Sequence, residues 1–171
     1  ILSMFGLLSI AFRSYFLPIL ILSALPFGFG GAVVGHIIFG KGLSMISYWG
    51  IGAACGVVVN DNLVLVDSIN RLKGSGKHIL ECIVESGVTR FRPIIITSIT
   101  TFVGLMPMML EPSVQANFLK PAVISLSFGV VLSSSVTLIL VPCLYLIGDD
   151  VKESIAQFKA SIKSQISNKS T

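Results

Sequence analysis

Four long apolar runs dominate this sequence, at 16–39, 46–69, 93–110 and 122–147, each bounded by charged residues or by Pro and Gly. A helix rises about 1.5 Å per residue, so each run spans a hydrocarbon core roughly 30 Å thick, the third of them only just. Composition points the same way. The chain is 53% hydrophobic and 12% charged, whereas about a quarter of the residues of a soluble domain are charged. The fold expected is all-α, a polytopic transmembrane helix bundle. The opening run, 1–12, would rise only about 18 Å. It lacks both an initiator Met and a basic segment ahead of it, so it reads as the end of a truncated span and not as a signal peptide.

Charge sets the expected orientation. Arg13, then Arg71, Lys73, Lys77, Arg90 and Arg92, then Lys152, Lys159, Lys163 and Lys169 fall in alternate connections, leaving only Lys41 and Lys120 of the 12 basic residues for the other side. By the positive-inside rule the richer side is cytoplasmic, and with it the C-terminus. The net charge of +4 comes from scattered residues without interleaved aromatics, which argues against a nucleic-acid partner. Cys55, Cys82 and Cys143 show no CxxC spacing, so they suggest small buried hydrophobes and neither a disulfide framework nor a zinc site.

Two segments outside the spans have helical patterning. Ile79, Leu80, Ile83, Val84 and Val88 alternate with Lys77, Glu81 and Glu85, which predicts an interfacial amphipathic helix over about 77–89, packed beneath the bundle or regulatory. Beyond 147, Val151, Ile155, Phe158, Ile162 and Ile166 form a stripe among lysines and serines. This predicts a separate cytoplasmic tail helix over 148–171, capped by Asp149 or Asp150 and fraying from Ser167.

The third run contains Asn60, Asp61 and Asn62, with Asp67 nearer its end. A carboxyl group within a span costs about 2.5–3.5 kcal/mol to insert, so it faces protein or water and commonly handles charge. Asp61 is therefore the leading candidate for proton or ion transfer, against the alternative of a structural carboxyl bonded to neighbouring helices. On a helical projection Gly52, Ala53, Ala54, Gly56, Asn60, Asp61, Asp67 and Ser68 share one small, polar arc, opposite Ile51, Val58, Val59, Val66 and Ile69. The polar arc is expected to pack inward and the bulky one to face lipid; Asn62 lies off the polar arc.

In the fourth run Thr97 and Thr101 share a face with Gly104 and Met108. Their hydroxyls either pass protons and hold water beside Asp61 or bond their own backbone carbonyls. Gly28, Gly31 and Gly35 in the second run and Gly52 and Gly56 in the third suggest close helix packing. His36 is expected to be interfacial. No nucleophile–base set, metal-ligand cluster or phosphate loop is present in the sequence, so neither an enzyme nor a cofactor is expected.

The segment GVVVNDNLVLVDSINR at 56–71 resembles the tenth transmembrane helix of resistance-nodulation-division (RND) exporters, including the acriflavine-resistance-type multidrug pumps. TRFRPIIITSITTFVGLMPMML at 89–110 resembles the start of their eleventh helix, and FGVVLSSSVTLILVPCLYL at 128–146 their twelfth, with Pro142 in the family's VP position. The resemblance covers roughly 1–147 and implies the end of the eighth helix through the twelfth of a twelve-helix proton/substrate antiporter in the bacterial inner membrane. It implies a homotrimer whose N-terminal half carries an aspartate pair, with a periplasmic adaptor and an outer-membrane channel as further partners. It also implies that Thr97 is the relay threonine and that Arg90 lies in the cytoplasmic half of the proton path. Where the best-known members carry a lysine on the tenth helix, this sequence has Asn60, with Asp61 beside it. A translocation-assisting RND relative and a purely structural scaffold are the competing readings.

Overall fold

The computed structural model describes residues 2–74, 76 and 78–168, with side chains described as far as Asp149 and at Val151. Six helices follow in order: α1 (Leu2–Phe12), α2 (Phe16–Leu22), α3 (Leu25–Ile38), α4 (Met45–Lys73), α5 (Ile79–Leu110) and α6 (Val114–Asn168). No strand occurs among the described residues. Four stretches are long and apolar enough to cross a bilayer: α2 with α3, α4, α5, and α6 from Val114 to Asp149. This is an all-α polytopic bundle.

The second run forms two helices and not one, because Pro26 cannot donate a backbone hydrogen bond to Leu22. At the resulting break around Ser23 and Ala24, carbonyl oxygens receive donors from other helices. Asn62 on α4 donates its amide to the Ile21 carbonyl at 3.0 Å, and Ser133 on α6 donates its hydroxyl to the Ala24 carbonyl at 3.2 Å. Both side chains are fully buried. The Ala24 carbonyl also accepts the Phe27 amide at 3.1 Å; in a medium without water, carbonyls at a helix break depend on donors from within the protein.

Helix α6 packs against α3, α4 and α5. Its approach to α3 is close because glycines meet: a Cβ at Gly129 would lie 3.0 Å from the Gly28 carbonyl oxygen and 3.2 Å from the Ala54 Cβ. A Cβ at Gly31 or Gly35 would strike Phe128. On α4 the close approach is at Gly50, where a side chain would overlap the Ala122 backbone. Gly52 and Gly56, expected to mediate packing, have open space where a side chain would sit, because their face of α4 turns away from the other helices. Towards one end Leu17, Leu20 and Ile21 join Leu65, Val66 and Ile69 of α4 and Val141 and Tyr145 of α6 in the main core. At the other end Met109, Val123 and Ile124 form a smaller cluster.

Two expected boundaries are absent. The amphipathic segment and the fourth span form one helix, α5, with Pro93 in its interior. The amphipathic pattern continues into the apolar one with the same period, and the helix runs through Gly87, Thr89 and Pro93 without a break. Cys82, Ile83 and Ser86 are buried while Leu80, Val84 and Val88 are exposed; Lys77 lies outside the described residues. Likewise α6 runs on to Asn168. Asp149 therefore lies inside a helix and caps nothing, and it pairs with Lys73 of α4. The side chains of Ile155, Phe158, Ile162 and Ile166 and the lysines from Lys152 onward lie outside the described residues, as do the Asp150 side chain and 169–171.

His36, expected at the interface, is buried at 3% exposure. Its Nδ1 lies 2.8 Å from the Ala32 carbonyl oxygen and its Nε2 lies 2.8 Å from the Ser47 hydroxyl. Ser47 also forms a capping box with Ser44 at the start of α4. The imidazole thus ties the end of α3 to the start of α4.

Replacing Asn62 by Leu keeps its branched outline, with bulkier methyl ends, but removes the donor to the Ile21 carbonyl. The intact protein in detergent should lose about 1–3 kcal/mol of stability, read as a lower midpoint of thermal unfolding, with Ser133→Ala losing less. Gly50→Val should destabilise by overpacking, by about 1–3 kcal/mol or more, in the same assay.

Candidate functional site: the polar arc of α4

The bulky arc of α4, expected to face lipid, packs instead against the other helices of this chain. Ile51, Val58, Val59, Val66 and Ile69 are buried among the other helices, while Gly52, Ala53 and Asn60 are exposed. Bulky side chains can fill the space between α4, α6 and the α2–α3 break; the small polar arc would leave it empty. Of that arc only Ala54 is buried, against Gly129.

Asn62 accounts for this rotation. Consecutive helical residues are about 100° apart, so holding Asn62 against the Ile21 carbonyl turns Asp61 to the edge of the packed face and Asn60 outward. Asp61 is half-buried. Its Oδ2 is enclosed, with no hydrogen-bond partner among the described residues. An enclosed carboxylate oxygen without a donor is costly, so this atom is suited to carrying a proton or meeting a cation. Asp67, nearer the helix end, is different: it pairs with Arg71 at 2.8 Å on an open surface.

Helix α5 supplies the remaining candidates. Arg90, Thr97 and Thr101 fall within about 40° of one another around its axis. Arg90 and Thr101 are half-buried and Thr97 is exposed. The Arg90 Nε is enclosed, with no hydrogen-bond partner among the described residues. Thr97 donates its hydroxyl to the Pro93 carbonyl at 3.0 Å. Ser98 and Thr100 bond backbone in the same way, the backbone-bonding alternative for membrane hydroxyls. Among the described residues no hydrogen bond or ion pair joins Asp61 to Asn60, Thr97, Thr101 or Arg90. The chain brings the candidates to an open face without closing them into a network.

Sequence reasoning missed Asn62, and the signal for it was Pro26: a proline within a span breaks the helix one turn upstream, and a carbonyl at that break, here Ile21, draws a donor from a polar residue off the functional arc. It also missed the end of the bundle, where the Tyr145 hydroxyl donates to Asn70 Oδ1 at 2.5 Å beside the Lys73–Asp149 pair. No group of three His, Cys, Asp or Glu side chains converges among the described residues.

Residues 1–149 match the AcrB/AcrD/AcrF family. Over 154 residues, 90% of the chain, the sequence is 31% identical to the multidrug resistance protein MdtC of Proteus mirabilis (strain HI4320), of which it spans 15%. A crystal structure of a heavy metal efflux pump superposes with a TM-score of 0.74 at 28% identity, over 85% of this chain and 14% of that one. A second crystal form of a heavy metal efflux pump gives a TM-score of 0.69 at 28% identity over 76% of this chain and 13% of that one. The helices described here are accordingly those of a multi-pass membrane protein, and the chain belongs to the AcrB/AcrD/AcrF family of RND efflux transporters.

Proposed function

We propose that this chain contributes part of the proton relay of a proton-driven efflux antiporter, with Asp61 as the group that gains and loses the proton. The observation that carries the reading is the enclosed, unpartnered Oδ2 of Asp61 at the edge of an arc of α4 that, Ala54 aside, the described helices leave at least partly open. A small, polar, uncovered arc is the surface a second helical half would need for close approach. In this reading that half supplies the charged partner that Asp61 lacks, where relatives resembling this chain use a lysine at the position of Asn60. Thr97 and Thr101 hold water between the halves, and Arg90 admits protons from the cytoplasmic side. The chemistry is proton transfer coupled to movement, with no covalent step and hence no enzyme activity. The strong asymmetry of Lys and Arg between alternate connections favours a cytoplasmic C-terminus in a bacterial inner membrane. A homotrimeric pump working with a periplasmic adaptor and an outer-membrane channel is the assembly proposed, and its cargo is a small organic molecule or a metal ion, the two classes that the relatives' names span.

In the intact protein, Asp61→Asn should reduce export to that of an empty-vector control while leaving expression and oligomeric state unchanged. Everted membrane vesicles should then show no substrate-induced proton release by a pH-sensitive dye. Normal export by Asp61→Asn would refute the relay assignment, and loss of export with proton flux intact would reduce Asp61 to a structural carboxyl. Thr97→Val should slow export, and Thr97→Ser should restore it.

A further inference from the structure

Two cavities adjoin at the end of the bundle where α2 starts and α4 ends, and they differ in chemistry. One, of about 200 Å³, is lined by Asn70, Lys73, Tyr145 and Asp149 together with Ser14 and Phe16. The other, of about 190 Å³, is an apolar slot between α2 and α6, lined by Ile19, Leu20, Leu144 and Ile147. Phe16 and Gly148 belong to both. The Phe16 ring lies so close over Gly148 that any side chain there would collide with it. The ring therefore forms the shared wall.

We infer that this pair of cavities binds one phospholipid with a zwitterionic, amine-bearing headgroup, its phosphate and amine in the polar cavity and one acyl chain in the slot. The slot runs along two membrane-spanning segments, and Ile19 and Ile147 in it are 59% and 57% exposed, so it opens sideways towards the hydrocarbon. The polar cavity lies at the level where Arg13, Arg71, Lys73 and Asp149 mark the end of the spans, which is the depth of lipid headgroups. On the orientation proposed above, this is the cytoplasmic leaflet.

Charge selects the headgroup. Lys73 and Asp149 already form an ion pair, yet their side chains are 45% and 25% exposed. The ammonium retains N–H donors beyond the one given to Asp149, and the carboxylate retains a second oxygen. A phosphate accepting from Lys73 and from the Asn70 amide, with its amine donating to Asp149, adds an opposite charge to each member and leaves none unpaired. An anionic headgroup without an amine would satisfy Lys73 but leave Asp149 with no added cation and a phosphate charge beside it. The Tyr145–Asn70 bond uses Asn70 Oδ1, which orients the amide N–H bonds away from Tyr145.

The test is native mass spectrometry of the intact, delipidated protein titrated separately with phosphatidylethanolamine, phosphatidylglycerol and water-soluble glycerophosphoethanolamine. Phosphatidylethanolamine should bind in preference to phosphatidylglycerol, and the soluble headgroup should not bind. Leu144→Trp, which fills the slot, should abolish the bound lipid, and Asp149→Asn should erase the preference. If Leu144→Trp does not accumulate, Ile147→Trp serves the same purpose from an exposed position. Equal binding of the two lipids by the wild-type protein, undiminished binding in the tryptophan variant, or binding of the soluble headgroup would each overturn the inference. Asp61→Asn should keep the lipid, so failure of the relay reading and failure of this one are separable.

Discussion

Within hydrocarbon a carbonyl oxygen has no solvent to turn to, and the architecture of this chain follows from how that need is met at Pro26. The broken span offers its carbonyls to two neighbours, Asn62 from α4 and Ser133 from α6. These bonds join three spans at one depth and set how each is turned about its own axis. Glycines at 28, 31 and 129 then let α3 and α6 approach until backbone meets backbone, giving the dispersion contacts that hold membrane helices together where no hydrophobic effect acts between them. The rotation of α4 is the functional result, since the residue that makes the bond is next to the one proposed to carry the proton.

The number and order of the spans were legible in the sequence because bilayer thickness imposes a minimum run length, and 46–69 and 122–147 fall within the observed α4 and α6. Helix ends were less legible. An amphipathic stretch and an apolar stretch in phase can form a single rod, and nothing at Val88 or Gly148 forces a stop, so α5 and α6 run through the boundaries that composition suggested. The rotation of α4 was misjudged for a more specific reason. A polar arc signals contact with protein or water, but it does not say whether that protein is the same stretch of chain. Here the bulky arc fills the local core and the polar one is left for another surface.

The candidate site was legible in its chemistry and illegible in its connections. A carboxyl deep in an apolar run identifies itself by its cost, and Asp61 is half-buried in the bundle with one oxygen enclosed. Its partners could not be read, because Thr97 is satisfied by its own backbone and Arg90 lies on a different helix. The contacts at the charged end of the bundle depend on side chains 75 and 76 residues apart, a separation at which neither spacing nor periodicity carries information.

The continuity of α5 has a mechanical consequence. Arg90, Thr97 and Thr101 ride on one continuous helix, about one to three turns apart along a single stripe, so Thr97 and Thr101 move as a unit and Arg90 shifts relative to them only by a bend at Pro93 between them. Any change of access along this stripe is therefore a tilt or roll of the segment or a hinge at Pro93, and the end that begins at Ile79 swings with it, as the handle of a lever follows its blade.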